Sequence, residues 1–276
     1  MLTSRAMTPI PPTIPGLIDT HCHLDYPPMS DDLDATLARA AAAGVEQLVH
    51  IACKPVAWAS AVALINTHVQ VYAVLGVHPH EAPLADEPAL ATLTDLLRHP
   101  KIVAVGETGL DYFYDRSPRG VQQHAMARHL ELARAAGKPI VLHIRDAHAD
   151  AWSVVDAQPS VPGIIHCFTG TPDEARQWLD RGYHLSFSGI ATFPNAPALR
   201  EAARSCPRDR ILLETDAPFL APVPVRGRKN EPAFIAFTCA QLAQVRGEAP
   251  GVLAGAAAAN ARALLGLPGP ARAPAD

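Results

Sequence analysis

IVAVGETGLDY at residues 102–112, PRGVQQHAMARHLELARAA at 118–136 and IVLH at 140–143 decide the fold. Ile102–Gly106 is a short apolar run rich in β-branched residues, which predicts a buried strand. Pro118–Ala136 carries a helical pattern, and Gly137 follows it, where a left-handed C-cap residue is wanted. Ile140–His143 is a second apolar strand. A strand, a long helix and a strand form a parallel crossover unit. The same alternation extends in both directions. Strands are expected at Leu17–Thr20, Gln47–Ala52, Val71–Gly76, Gly163–His166, His184–Ser188 and Ile211–Glu214 as well, with a helical pattern after each. Thr171-Pro172-Asp173-Glu174 offers an N-cap threonine, a proline at the first helical position and an acidic first turn. Ser30-Asp31-Asp32 is a similar helix opening. Eight such units predict an α/β fold, the TIM (β/α)8 barrel, as a single domain with an extra C-terminal helix at about Pro250–Leu265. The main rival is an open doubly wound sheet. Its nucleotide-binding versions lose support because no GxGxxG follows the first strand and no P-loop occurs.

The 276 residues are enough for a barrel and a large core, and 49% are apolar, which excludes disorder for the bulk of the chain. Residues 17–266 are expected to form the barrel, with a flexible N-terminal extension over 1–16 and a flexible tail over 267–276. Met7 is an alternative start to Met1. The net charge of −4 excludes a global basic field for nucleic acid, so a phosphate-bearing substrate would be held locally. Five cysteines, without a CxxC pair or a visible secretory signal, suggest a reduced, cytoplasmic chain. No apolar run reaches the roughly 20 residues of a membrane span. No heptad stripe or interface patch suggests an obligate protein partner, so a monomer is expected.

The chemistry sits where strands end. His21 and His23 close the first strand two residues apart, so in extended chain both imidazoles face the same way. Glu107 follows the fourth strand, His143 closes the fifth, His166 the sixth, and Asp216 follows the eighth. Barrel active sites are built on that rim. Four histidines and two carboxylates suit divalent Mg, Mn or Zn. Six ligands exceed what one catalytic ion with an open position takes, but they match two ions sharing a carboxylate. The expected assignment is His21, His23 and Asp216 on one ion, His143 and His166 on the other, and Glu107 as the bridge. Two such ions typically lie about 3.5–4 Å apart. Asp216 is also a candidate to orient an activated water and take its proton, so Asp216 and Glu107 are the expected catalytic pair. The plainer reading of Asp216 is an N-cap before Pro218. Cys22 and Cys167 adjoin ligands, but alternation along a strand turns a neighbour to the other face.

At this point the motifs resemble the TatD family of metal-dependent deoxyribonucleases, among the amidohydrolase-like metal-dependent hydrolases. The matching segments are DTHCHLD (19–25), GVHPH (76–80), GETGLDY (106–112), LHIR (142–145), HCFTG (166–170), ETDAP (214–218) and RGRKNEP (226–232). They cover the chain from about residue 17 to 266, in the family's order. Thr108 and Thr169 depart from it, where an aliphatic residue and a serine are expected. The resemblance implies a dinuclear site on His21, His23, Glu107, His143, His166 and Asp216. It also implies phosphodiester hydrolysis by a water activated between two metals, on DNA, preferably single-stranded, from chain ends.

Second-tier substrate candidates are His78, Arg145, Arg226 and Tyr112. His78 resembles a family position near the substrate. Arg145 lies on the face of His143 and can pair with a phosphate. Arg226 heads the densest basic cluster, and Tyr112 can stack on a base. Each has a plainer reading as a rim or surface residue. His80 is expected at the surface. His50, His68, His99, His124, His129, His148 and His184 are expected to be structural or solvent-facing. Two other functions compete: a dinuclear hydrolase of cyclic amides, esters or other phosphoesters, and a metal-dependent binding scaffold.

Overall fold

The computed structural model describes residues 9–269. In chain order the elements are β1 (Leu17–Cys22), α1 (Leu33–Ala42), β2 (Val45–Ala52), α2 (Trp58–Thr67), β3 (Val71–Leu75), α3 (Glu87–Leu96), β4 (Ile102–Asp111), α4 (Arg119–Ala136) and β5 (Ile140–Arg145), then α5 (His148–Asp156), β6 (Gly163–Ile165), α6 (Pro172–Asp180), β7 (His184–Phe187), α7 (Pro197–Ser205), β8 (Ile211–Leu213), α8 (Ile235–Arg246) and α9 (Pro250–Leu265). The strands pair in sequence order, each parallel to the next. The seam closes at the C-terminal ends of β1 and β8 through a bridge between Cys22 and Ala217. There the His23 N–H donates to the Ala217 carbonyl at 2.8 Å and the Asp216 N–H to the His21 carbonyl at 2.9 Å. The barrel is a TIM barrel, closed by the residues that also carry the candidate chemistry.

Two apolar layers hold it. One joins the outward strand faces to the surrounding helices. The other draws on seven strands, with Ile18, Val49, Val74, Ala104, Val141, Ile164 and Leu212 among its members, and joins them to Ala258, Ala261 and Leu265 of α9. No residue of α1–α8 enters that second cluster, so its strand residues face the barrel interior. The extra helix α9 lies under the N-terminal end of the strands. Asn260 donates to the carbonyl of Ile211 at 2.9 Å, and Arg262 reaches Glu46 and Gln47 at the start of β2. The bottom of the barrel is sealed, and chemistry is left to the top.

Local signals act as expected in several places. Thr171 and Glu174 form a reciprocal capping box on α6. Gly137 ends α4 with φ 63°. The opening of α1 falls on Asp32, whose side chain accepts from the Ala35 N–H. The clearest departure is β4, which runs past Gly106 to Asp111, while β5 runs on to Arg145, pairing Gly109 with His143 and Asp111 with Arg145. Gly109 makes this possible. Its φ is 141°, and a Cβ there would stand 2.0 Å from the His143 carbonyl oxygen. Polar residues in this stretch break the apolar run, which is why the sequence pattern ends the strand too early.

The ends also differ from expectation within the described residues. Ile14 of the expected N-terminal extension is buried, and its N–H donates to Ala43 at 3.0 Å. Leu267 of the expected tail is buried as well, and the Pro268 carbonyl accepts from Gln47. The rest of the expected extension and tail, residues 1–8 and 270–276, lies outside the described residues.

His129 of α4 is a structural histidine. It is fully buried, with Nδ1 2.7 Å from the Ala125 carbonyl and Nε2 accepting from the Val77 N–H at 3.1 Å. The ring is therefore neutral, with its proton on Nδ1. Burial lowers its pKa to about 4. Below the ordinary value of 6.5 the unfolded chain takes up a proton that folded His129 refuses. Its contribution to stability is thus complete above pH 6.5 and is lost as the pH falls toward 4. Replacing His129 by leucine should cost about 1–3 kcal/mol at neutral pH, because the Val77 N–H loses its acceptor. The same variant should flatten the loss of stability between neutral pH and pH 5, measured by urea unfolding. A variant with the wild-type pH slope would contradict this.

Candidate metal centre and cleft

Loops and strand ends at the top of the barrel bring the six expected ligands together. Glu107 is at the centre. Its Oε1 is 2.9 Å from His166 Nε2, 3.1 Å from His143 Nδ1 and 3.4 Å from His78 Nε2. Its Oε2 is 3.5 Å from His21 Nε2. Asp216 Oδ1 is 3.5 Å from His23 Nε2 and 3.6 Å from His21 Nε2. Glu107 thus touches both groups of ligands between which the sequence reading put it. The rings of His21 and His166 stack at 3.8 Å.

The orientation of the histidines tests whether these residues suit metal ions. His166 turns Nδ1 to Glu214 at 3.2 Å, His143 turns Nε2 to Asp111 at 3.1 Å, and His23 turns Nδ1 to the Ile51 carbonyl at 3.3 Å. In each ring the outer nitrogen is tied to an acceptor and the other faces the centre. That arrangement fixes the tautomer a metal ligand needs. His21 is fully buried, and neither of its ring nitrogens has a hydrogen-bond partner. Among the described residues three sets of three donor atoms, from His21, His166 and Glu214, from His21, His23 and Glu107, and from His78, Glu107 and His143, each lie close enough together to hold one cation. The residues fit divalent metal.

The electrostatics follow from burial and neighbours. Burial alone would raise the pKa of Glu107, but His166, His78 and His143 hold it well below the carboxylate range. Asp216 is lowered against burial by His23 and His21. His166 is raised well above its usual value, despite burial, by Glu107 and Glu214. His21 is lowered by burial and by the neighbouring His166. A divalent cation would itself neutralise the Glu107 and Asp216 carboxylates.

Behind the ligands stand residues that the sequence reading passed over. Asp111 links three elements: Oδ2 faces His143 and, at 2.8 Å, His80, while Oδ1 accepts from the Tyr114 N–H at 2.8 Å. Burial would raise Asp111, yet these hydrogen bonds hold it far below its usual pKa. His80, expected at the surface, is half-buried and lines the cleft. Glu214 accepts from the Cys167 N–H at 2.7 Å in addition to orienting His166. Asp19 accepts from the Thr215 N–H and hydroxyl, at 3.0 and 2.6 Å, and clamps the loop before Asp216. Burial pushes Asp19 up to about 7 against those hydrogen bonds. Asp216 is not an N-cap: its φ is 56°. Cys167 is also left-handed, at φ 43°. Such conformations cost about 1–3 kcal/mol each and concentrate at functional sites.

Above the centre lies a cleft of about 730 Å³. His78, His80, Phe113, Tyr114, Arg116, Arg145, Tyr26 and Phe219 are among its walls. His78 is held by the His80 N–H on its Nδ1, so its Nε2 proton points to Glu107. Arg145 lines the cleft, with its guanidinium 4.0 Å from the Phe113 ring centre. Tyr112 does not line it. Asp111 points inward, so alternation turns Tyr112 outward, where its hydroxyl donates to Asp150 at 2.8 Å. Arg226 is exposed and covers the Phe193 ring at 4.2 Å, away from the cleft lining. The Cys22 thiol donates to the Val49 carbonyl. Cys167 does reach the cleft, against the expectation from alternation, because its left-handed backbone breaks the strand. Its thiol lies 3.2 Å from the Ser188 hydroxyl, and burial raises its pKa well above the usual value.

Residues 18–266 match the family described as TatD related DNase. A Bacillus subtilis protein named as the uncharacterized metal-dependent hydrolase YabD is 38% identical over 232 residues, which are 83% of this chain and 91% of that protein. A Cronobacter sakazakii protein named 3'-5' ssDNA/RNA exonuclease TatD is 36% identical over 256 residues, 90% of this chain and 95% of its own. The solved structure of the TatD homolog YjjV from Escherichia coli superimposes with a TM-score of 0.86 at 34% identity, covering 91% of this chain and 98% of that one.

Replacing Asp111 by asparagine should weaken metal binding about 10–100-fold, because His143 loses the carboxylate that orients it. Competition with a chromophoric chelator measures this. Unchanged affinity would show that Asp111 has no part in the centre.

Proposed function

The chain belongs to the family of TatD-related DNases and is a metal-dependent hydrolase; from that premise we propose that it cleaves phosphodiester bonds in single-stranded DNA, nucleotide by nucleotide from a chain end. The observation that carries the reading is the buried Glu107 carboxylate shared among four histidines on or just after β1, β3, β5 and β6, with Asp216 beside it under an open cleft. The name of the Cronobacter relative supports nucleic acid as substrate, with RNA strands as a second form of it and the 3' end as the point of attack.

In this reading His21, His23, Glu107, His143, His166 and Asp216 hold two divalent ions, Mg, Mn or Zn. The ions supply Lewis acidity and neutralise charge on the phosphoryl oxygens. The protein does the rest. Asp216 is ionised beside His21 and His23, and its carboxylate orients the attacking water and accepts its proton. Glu107 keeps the two groups of histidines at a fixed separation. Arg145 pairs with a non-bridging phosphate oxygen from the β5 side, two residues beyond His143. His78 keeps its Nε2 proton aimed into the centre. The clamp of Asp19 on Thr215 holds Asp216 in position. Bringing these groups to one phosphorus is mainly a matter of positioning and electrostatics.

Protein stripped with chelator and restored separately with Mg, Mn or Zn should shorten end-labelled single-stranded DNA faster than duplex. Glu107→Ala should abolish shortening, and Asp216→Asn should lower it roughly 10²–10⁴-fold, the usual worth of a positioned base. An equally active Asp216→Asn enzyme would remove Asp216 from its role. Turnover of esters or cyclic amides well above that of phosphodiesters would move the substrate to another class.

A further inference from the structure

Phe113, Tyr114, Tyr26 and Phe219 are large apolar or aromatic side chains left 56%, 50%, 38% and 46% exposed, and all four line the cleft. Exposed rings gathered at a polar, metal-competent site invite a reason, since folding alone favours their burial. They form two pairs. Phe113 and Tyr114 meet edge to face at 4.9 Å just after β4. Tyr26 and Phe219 meet edge to face at 5.9 Å, in the loops after β1 and β8, and both stand within 6.0 Å of the His23 ring. In an eight-stranded barrel the ends of β8 and β4 lie across the mouth from each other. The two pairs are therefore opposite walls, with the ligand cluster on the floor between them.

The β4 wall is both registered to the centre and cationic. The Tyr114 N–H is bound by Asp111, the same carboxylate that orients His143. The Arg145 guanidinium covers Phe113 and lies 4.9 Å from the Tyr114 ring centre, and Arg116 lies 5.3 Å from it. Neither arginine makes an ion pair among the described residues. Exposed aromatic rings packed against guanidinium groups match a nucleotide, whose base offers a π-face and whose phosphate offers charge.

We propose that Phe113 and Tyr114 form a stacking platform for an unpaired base of the substrate, faced by Tyr26 and Phe219, so that the cleft selects single strands by the free faces of their bases. This rests on the nuclease reading above. A paired base keeps its faces within the duplex stack and has none to offer the platform. Stacking tolerates any base, so the platform selects strandedness without selecting sequence.

The test uses the full chain loaded with Mn and two oligonucleotides of equal length. One is all thymidine, and the other has tetrahydrofuran abasic residues over its three terminal positions at the attacked end. The wild type should favour the base-bearing strand in kcat/KM. Phe113→Ala/Tyr114→Ala should lose that preference on the order of tenfold, mainly through KM. Phe113→Leu/Tyr114→Leu, which keeps apolar bulk on the loop, should lose it too, and Phe219→Ala should weaken it. Quenching of 2-aminopurine at the strand end should fall in parallel. A preference unchanged from wild type in both double variants would overturn the platform and leave the nuclease intact. A wild-type enzyme inert on both strands would overturn the nuclease reading, and the platform with it.

Discussion

A carboxylate buried at the mouth of a barrel has to be compensated, and most of the structure above the strands follows from how Glu107 meets that requirement. Its side chain is about 4% exposed, and four imidazoles from strand ends and the loops that follow them surround it. An isolated charge at such a depth would be strongly destabilising. The histidines resolve this only if their orientation is imposed from outside. Asp111, Glu214 and the His80 N–H impose it on His143, His166 and His78. The site is therefore two concentric polar layers, and the outer layer is supplied by strand continuations and loops that have no apolar reason to exist.

The barrel's closure and its chemistry are the same event. The hydrogen bonds that join β1 to β8 run between His21, His23, Asp216 and Ala217. Asp216 is held with a left-handed backbone, and the Asp19–Thr215 clamp and this seam offset the strain. At the other end α9 seals the barrel with apolar contacts and an asparagine on the β8 backbone. A rigid, closed bottom lets the top carry strained backbone, buried charge and exposed aromatic rings without loss of the fold.

The strand count, the parallel order and the extra helix were legible in the sequence, because apolar runs and helical periods report burial directly. That the six candidate residues meet was legible for a related reason: each is a metal-competent residue at the end of an apolar run, and the barrel brings all such ends to one rim. The outer layer was not. Asp111 and His80 follow polar or irregular stretches, where period-based reading ends the strand, and only the register of β4 against β5 reveals that the chain continues. Glu214 was visible but eclipsed by Asp216, two residues on. Tyr112 was read as the aromatic of the cleft because it adjoins the GETGLD segment. Strand alternation turns it outward, and the turn that follows delivers Phe113 and Tyr114 instead. Ile14 and Leu267 lie in proline-rich or small-residue stretches whose composition suggests loose ends, yet single apolar side chains anchor both.

In the proposed function Glu107 joins two ions in one centre. Native mass spectrometry of the wild type and of Glu107→Gln, titrated with Zn, addresses it directly. Two ions per wild-type chain, taken up together, and at most one tightly held ion in the variant are expected. Two ions retained by the variant with wild-type affinity would contradict it, and would mean that the histidines hold their metals without the carboxylate around which the site is built.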